Sequence, residues 1–148
     1  MNRRAMREHT FKLLFSAEFY PQEELNEQFE QYFEEETNAA IPAEERQLLI
    51  GKAKEIIAGL PELDASISAA VEGWRLNRSG KVELGILRLA VYELKEDSGV
   101  PWKVAINEAV ELAKKYGGDD APGFVNGVLA RVVRREMPEK MQAEQKTE

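Results

Sequence analysis

The stretch that decides the fold is KVELGILRLAVYELKE, residues 81–96. At 3.6 residues per turn its apolar side chains cover most of the circumference, which is typical of a helix buried at the centre of a helical protein. The remaining sector carries Lys81, Arg88 and Lys95, which are spaced by seven and share one face. Such a stripe is usually solvated, and contact with phosphate groups is the less favoured alternative. The pattern therefore predicts a central helix around which others pack.

Helical periodicity continues on both sides of this stretch, and strand-like alternation is scarce. Proline, glycine, asparagine and aspartate mark the helix ends, with Gly117 as a C-terminal cap and Asp119 or Asp120 as an N-cap followed by Pro122. The seven predicted helices are Arg3–Tyr20, Glu23–Glu36, Ala43–Ala58, Glu62–Leu76, Lys81–Glu96, Pro101–Tyr116, and Asp119 or Asp120 to Glu136. The polar tail, residues 138–148, is expected to fray.

The break Gly59-Leu60-Pro61 divides the chain into helical halves of about 1–59 and 61–137. Neither half is large enough to bury a comfortable core alone, so we expect both to pack as one domain over residues 1–148. The predicted fold class is all-α, with about seven helices.

The amino-acid composition excludes several kinds of site and indicates where the protein is located. The 148 residues carry a net charge of −7 and include no cysteine, which excludes disulfides and thiolate zinc sites and fits a reducing compartment. No segment approaches the length of a membrane span, and Lys12 and Glu18 interrupt the apolar run near the start, which argues against a signal peptide. A cytoplasmic location, without membrane binding, is expected.

The acidic charge is concentrated between residues 18 and 45. That segment holds ten glutamates and no lysine or arginine, which leaves 17 acids against 20 bases in the rest of the chain. A polyanion responds to the local potential within about 10 Å rather than to the net charge. The acidic balance therefore does not exclude RNA, and it predicts a localised basic footprint.

The first predicted helix has two apolar faces. One stripe contains Met6, Thr10, Leu13 and Ala17, and Phe11, Phe15 and Phe19 lie nearly opposite. Such a helix is either sandwiched in a core or contacts a partner through one face. The pattern alone favours burial.

Enzymatic chemistry is not indicated. His9 is the only histidine, no Ser-His-Asp arrangement can be assembled, and no glycine-rich phosphate loop follows a strand. We therefore expect no catalytic residues, no metal site and no cofactor.

Two segments suggest contact with nucleic acid. Arg3, Arg4 and Arg7 form a cationic cluster whose guanidinium groups suit phosphates, although basic amino termini are common. In the segment YGGDDAPGFVNG, residues 116–127, Tyr116 and Phe124 flank a turn that leads into a helix N-terminus. Exposed aromatics can stack on unpaired bases, but the two rings could equally pack the helix hairpin. The same two alternatives apply to Trp74, which either anchors the core or lies at a binding surface.

Several motifs, in order and spacing, resemble the NusB family over the whole chain. They are RRAMREHTFKLLF (3–15), WRLNR (74–78), LGILRLAVYEL (84–94), VPWKVAINEAVELAKKYG (100–117) and FVNGVL (124–129). The combination INEAVELAKKYG and FVNGVL is the most specific part, and the acidic segment 18–45 contributes little beyond helical character.

The resemblance implies two small helical bundles and a transcription antitermination factor that binds boxA RNA of ribosomal RNA operons. It also implies the partner NusE, a small-subunit ribosomal protein, and an RNA polymerase antitermination complex. By position, the family's arginine-rich motif falls on Arg3, Arg4 and Arg7, with Met6 interrupting it. Its RNA contacts in the turn fall on Tyr116, Asp120 and Phe124, and its NusE contacts on Phe15 and Glu83.

Two other functions are alternatives to an RNA-binding antitermination factor. A protein-only helical adaptor would bind partners without salt-sensitive RNA binding. A NusB-like domain of an RNA methyltransferase would require a nucleotide-cofactor domain, for which the chain length leaves no room.

Overall fold

The computed structural model describes the backbone of residues 1–71 and 80–147 and the side chains of residues 1–71 and 80–142. Within these ranges the structure is helical and has no strand, which confirms the all-α prediction. The α-helices are α1 (Arg3–Ala17), α2 (Leu25–Glu34), α3 (Ala43–Ala58), α4 (Leu60–Ala70), α5 (Lys81–Glu96), α6 (Trp102–Tyr116), α7 (Ala121–Glu136) and α8 (Pro138–Thr147).

The described helices exceed the predicted number by one, and several ends differ. The first helix stops at Ala17 rather than Tyr20, and a 3₁₀ turn at Gln22–Glu24 precedes α2, which ends at Glu34. Helix α4 ends at Ala70, because Val71 has left the helical region with ψ 76°. The rest of the predicted fourth helix, Trp74 and the motif WRLNR lie outside the described residues.

After Pro138, where we expected a polar tail that frays, the chain continues as the helix α8. Met137, at the junction with α7, is only 6% exposed, and the Lys140 ammonium donates a hydrogen bond to the Leu94 carbonyl oxygen at the end of α5. These tertiary contacts anchor a segment whose own residues carry no apolar stripe.

The chain forms two compact units, Met1–Ala58 and Gly59–Glu148, and the boundary coincides with the Gly59–Pro61 break. In the first unit α1 packs against α2 and α3, and the core is built on Leu13, Phe29, Leu49 and Ile56, none of which is exposed. The expectation that both halves pack as one domain stays a prediction.

In the second unit α5 packs against α4, α6 and α7. Its apolar residues are buried along nearly its whole length, from Ile86 to Leu94. Burying an aliphatic side chain stabilises a fold by about 1.5–3 kcal/mol, so this helix contributes much of the unit's core. The central position predicted for residues 81–96 is confirmed within this unit.

Candidate nucleic-acid interface

The amino-terminal arginines are held at the first turn of α1. The Asn2 side chain caps this helix by accepting a hydrogen bond from the Ala5 amide at 2.8 Å, and no acidic residue occupies the first turn. Arg3 and Arg4 are exposed. Because the N-terminal end of a helix carries partial positive charge, cations are unfavourable there. Helix stability therefore does not explain their position.

Arg7 differs from its two neighbours. Only 8% of its surface is exposed, so its aliphatic stem and guanidinium group are largely buried. The exposed part of the predicted cationic cluster is thus the pair Arg3 and Arg4, which reduces the number of phosphate contacts that this helix end can offer.

The turn between α6 and α7 carries the predicted aromatics. Tyr116, the last residue of α6, and Phe124, in the first turn of α7, are both partly exposed. The Lys115 ammonium lies 5.5 Å from the centre of the Tyr116 ring, where it adds a cation to the aromatic surface. Both side chains therefore have surface available for a ligand, although part of each is packed.

Gly117 is required by close approach rather than by unusual backbone angles. It caps α6 as predicted, with its amide donating to the Ala113 carbonyl oxygen at 2.9 Å, but its φ of −95° and ψ of 178° are those of extended backbone. A Cβ atom here would lie 2.5 Å from the Ala121 Cβ and 2.9 Å from the Ala113 oxygen. Only glycine lets the start of α7 approach the end of α6 so closely.

Asp120 stands at the N-cap position of α7, but its carboxylate does not cap the helix. Its carbonyl oxygen accepts the Phe124 amide at 3.1 Å, while its side chain is exposed. The carboxylate is therefore exposed at the surface, in the same turn as the two aromatics.

A groove of about 450 Å³ runs along α7 from Phe124. Its lining includes Gly123 and Gly127 and the basic residues Arg131 and Arg134. One guanidinium is oriented by its bond to a carbonyl oxygen: Arg131 Nη1 donates to Ala70 at 3.3 Å. Neither arginine was predicted as a candidate from the sequence, although their spacing of seven and ten residues from Phe124 places them near its face of a helix.

The partner-facing candidate Phe15 belongs to an aromatic row whose exposure rises along α1. Phe11 is 3% exposed, Phe15 is partly exposed and Phe19 is 56% exposed, and the rings of Phe15 and Phe19 meet edge to face at 5.3 Å. The row is thus neither fully core nor fully surface. Its carboxyl-terminal half offers apolar area to a partner.

Glu83, the other partner-facing candidate, lies in the first turn of α5 and is partly exposed. Its two carboxylate oxygens face two glycines: a Cβ on Gly80 would lie 2.2 Å from Oε2, and a Cβ on Gly117 would lie 3.4 Å from Oε1. This carboxylate therefore borders the turn that carries Tyr116 and Phe124.

His9 has a structural setting. Its Nδ1 hydrogen-bonds the Tyr32 hydroxyl, and burial, with a smaller effect of Lys12, lowers the pKa of its imidazole against the opposing effect of Glu8. Within the described residues no group of three or more His, Asp or Glu could hold a metal ion. No described helix is both long and apolar enough to cross a membrane.

The chain is similar to known proteins over most of its length. Residues 4–134 match the model of the NusB family. The transcription antitermination protein NusB of Agathobacter rectalis is 52% identical over 131 residues, covering 88% of this chain and 98% of the relative. That of Lachnoclostridium phytofermentans is 49% identical over 133 residues, covering 90% and 99%.

Solved structures agree with the sequence comparison. The T. maritima NusB structure superposes with a TM-score of 0.80 at 36% identity and covers 96% of this chain and 98% of its own. A chain in a crystal structure described as a plectonemic RNA supercoil has a TM-score of 0.75 at 27% identity, with coverage of 90% and 94%. The family match over most of the chain, together with relatives about half identical, means that the chain belongs to the NusB family.

Proposed function

We propose that this protein is a transcription antitermination factor that binds the boxA RNA of ribosomal RNA operons together with the ribosomal protein NusE. The observation that carries the proposal is the identity of about one half to relatives named transcription antitermination protein NusB, over nearly their full length. As part of an RNA polymerase antitermination complex in the cytoplasm, it would act by binding rather than by catalysis.

Charge and aromatic surface support RNA as the ligand. Arg3 and Arg4 offer exposed guanidinium groups that can pair with phosphates, and Tyr116 and Phe124 offer rings that can stack on unpaired bases. Asp120 adds a carboxylate that can accept hydrogen bonds from base amino groups or ribose hydroxyls. Rings that stack on splayed bases favour a single strand over a duplex.

The partner role rests on Phe15 and Glu83. The exposed end of the aromatic row gives Phe15 an apolar neighbour in Phe19, and Glu83 provides a carboxylate for a basic protein partner. Protein interfaces commonly contain both apolar anchors and charged groups.

The proposal is tested by titrating boxA single-stranded RNA, a scrambled strand and the corresponding duplex with the protein, with and without NusE. We expect the boxA strand to bind most tightly and NusE to increase its affinity. NusE binding without any salt-sensitive RNA binding would favour the protein-only adaptor instead.

Phe15→Asp tests the partner surface in the same assay. The variant should remain folded and lose NusE, because burying an unpaired carboxylate in an apolar interface is strongly unfavourable. Tyr20→Ala, a change at another exposed aromatic after α1, serves as the control. If Phe15→Asp unfolds the protein, Phe15 is a core residue and the partner assignment fails.

A further inference from the structure

One face of α7 combines an aromatic ring with two arginines. Phe124 lies in the first turn of this helix, and Arg131 and Arg134 follow it further along. All three residues line the groove of about 450 Å³ that runs along α7. At 1.5 Å per residue, the helix between Phe124 and Arg134 is about 15 Å long. An aromatic ring at one end of this groove is thus followed by two positive charges along it.

The groove leaves the helix backbone open between the ring and the arginines. Gly127 lines it between Phe124 and Arg131, is exposed, and contributes no side chain. A glycine inside a helix costs about 1 kcal/mol relative to alanine, but it lets a ligand approach the backbone closely. The Arg131 guanidinium is held at the groove because its Nη1 atom donates to the Ala70 carbonyl oxygen at 3.3 Å.

Helix stability does not account for the position of Arg134. Basic residues in the last turn of a helix interact favourably with the helix dipole, and Arg134 and Arg135 both occupy that turn of α7. Both side chains are exposed, but they border different surfaces. Arg134 lines the groove that begins at Phe124. Arg135 lines a second groove, which includes Glu62 and Glu136. The tertiary structure therefore places only one of these two neighbouring charges beside the aromatic ring.

We propose that the RNA strand stacked on Phe124 continues along α7, where Arg131 and Arg134 bind its next phosphates. Guanidinium groups pair with phosphate oxygens through two parallel hydrogen bonds. A single strand suits this groove, since its backbone can follow a positively charged track while its bases stack on aromatic rings. The inference rests on the proposed function and extends its RNA footprint by about 15 Å along the helix.

The experiment uses a boxA strand with a short run of uridines at each end, and shorter strands from which nucleotides are removed stepwise from either end. Affinity is measured for the wild type, Arg134→Ala and Arg135→Ala over a range of salt concentrations. Arg135→Ala is the matched control, because it removes the same charge from the same exposed turn and weakens the dipole interaction equally. Arg131→Ala is less suitable, since it also removes the hydrogen bond to Ala70 at the end of α4.

We expect Arg134→Ala to bind the longest strand about two- to fivefold more weakly than the wild type, the range for one exposed ion pair. The slope of its salt dependence should flatten by roughly 0.7, the value for one phosphate contact on a single strand. Both differences should disappear once the nucleotides at one end of the strand are removed, because these are the nucleotides that lie along α7. Arg135→Ala should bind every strand as the wild type does.

Two results would overturn the inference alone: equal affinities of Arg134→Ala and the wild type for the longest strand, or equal losses in Arg134→Ala and Arg135→Ala. Weaker NusE binding by Arg134→Ala in the absence of RNA would assign the groove to the protein partner and would overturn it as well. If the wild type binds no boxA RNA, even with NusE, the proposed function is refuted and this inference with it.

Discussion

The basic stripe of α5 and the basic start of α1 look similar in sequence and differ in structure. On α5 the Arg88 guanidinium makes two 2.8 Å hydrogen bonds to the Asp64 carboxylate of α4, and its side chain is 12% exposed. On α1 Arg3 and Arg4 are exposed, at a helix end where cations are unfavourable. The first arrangement stabilises the fold, and the second leaves both arginine side chains exposed at the surface.

Lys95 extends the contrast. Its ammonium donates to the Ser66 hydroxyl at 2.6 Å and lies 3.4 Å from Glu136 and 3.7 Å from Glu62. Acceptors from α4 and α7 thus surround a cation that the sequence alone allowed to face phosphate. Equal spacing of basic residues indicates a shared face, but the neighbouring helices decide whether that face is available.

Arg88→Ala should produce the largest effect, on stability. It leaves the partly buried Asp64 carboxylate without its bidentate partner, and hydrogen bonds to charged groups contribute about 1.5–3 kcal/mol each. Because the pair is partly exposed, we expect a loss of about 2 kcal/mol, or a melting temperature lower by roughly 4–8 °C. Thermal unfolding of Arg88→Ala, Asp64→Ala and the double variant measures the coupling, with the exposed Arg135→Ala as control. Additive losses would contradict a structural pair.

Phe124→Ala and Tyr116→Ala should weaken RNA binding by up to about 1–3 kcal/mol per stacked base, while the dependence on salt stays nearly constant. Stacking neutralises no phosphate and therefore releases no counterion. Affinity measured over a range of salt concentrations separates the two effects, and Tyr20→Ala controls for loss of an exposed ring. Unchanged RNA affinity in both variants would indicate that these rings pack between α6 and α7 and do not contact RNA.

Replacing Arg3 and Arg4 together with alanine should weaken binding to all RNA sequences and flatten the salt dependence. Each lost phosphate contact on a single strand changes the slope by roughly 0.7, while stability should hardly change because both side chains are exposed. The double variant Lys52→Ala, Lys54→Ala removes the same charge from α3 as a control. Adding Arg7→Ala should also lower stability, since Arg7 is buried. If the salt dependence of RNA affinity has the same slope in the variant and the wild type, Arg3 and Arg4 do not contact RNA phosphates.

The smallest effect concerns His9 and pH. Burial lowers the imidazole pKa in the folded state below its usual 6.5, so the unfolded chain binds the proton more tightly. Stability from this group is therefore fully present above pH 6.5 and is lost as the pH falls through the lower, folded pKa. Chemical denaturation of the wild type and His9→Gln between pH 8 and 5 checks this. Parallel pH profiles would show that His9 contributes nothing to the dependence.

The sequence by itself determined the helical class, the central helix at residues 81–96 and the break near Gly59, because apolar periodicity and helix-stopping residues are local properties. It also singled out Arg3, Arg4, Tyr116 and Phe124 by residue type and position. The ends of α1 and α2 were less accurate, since the final turn of a helix depends on packing as much as on composition.

Tertiary structure alone decided which of these residues are available. It buried Arg7 and left Arg3 exposed, and it engaged Arg88 with Asp64. It also anchored α8 through Met137 and brought Glu83 beside Gly117, 34 positions further along the chain. Such outcomes depend on which helices become neighbours, and exposure and charge pairing follow from contacts between distant residues that no local pattern encodes.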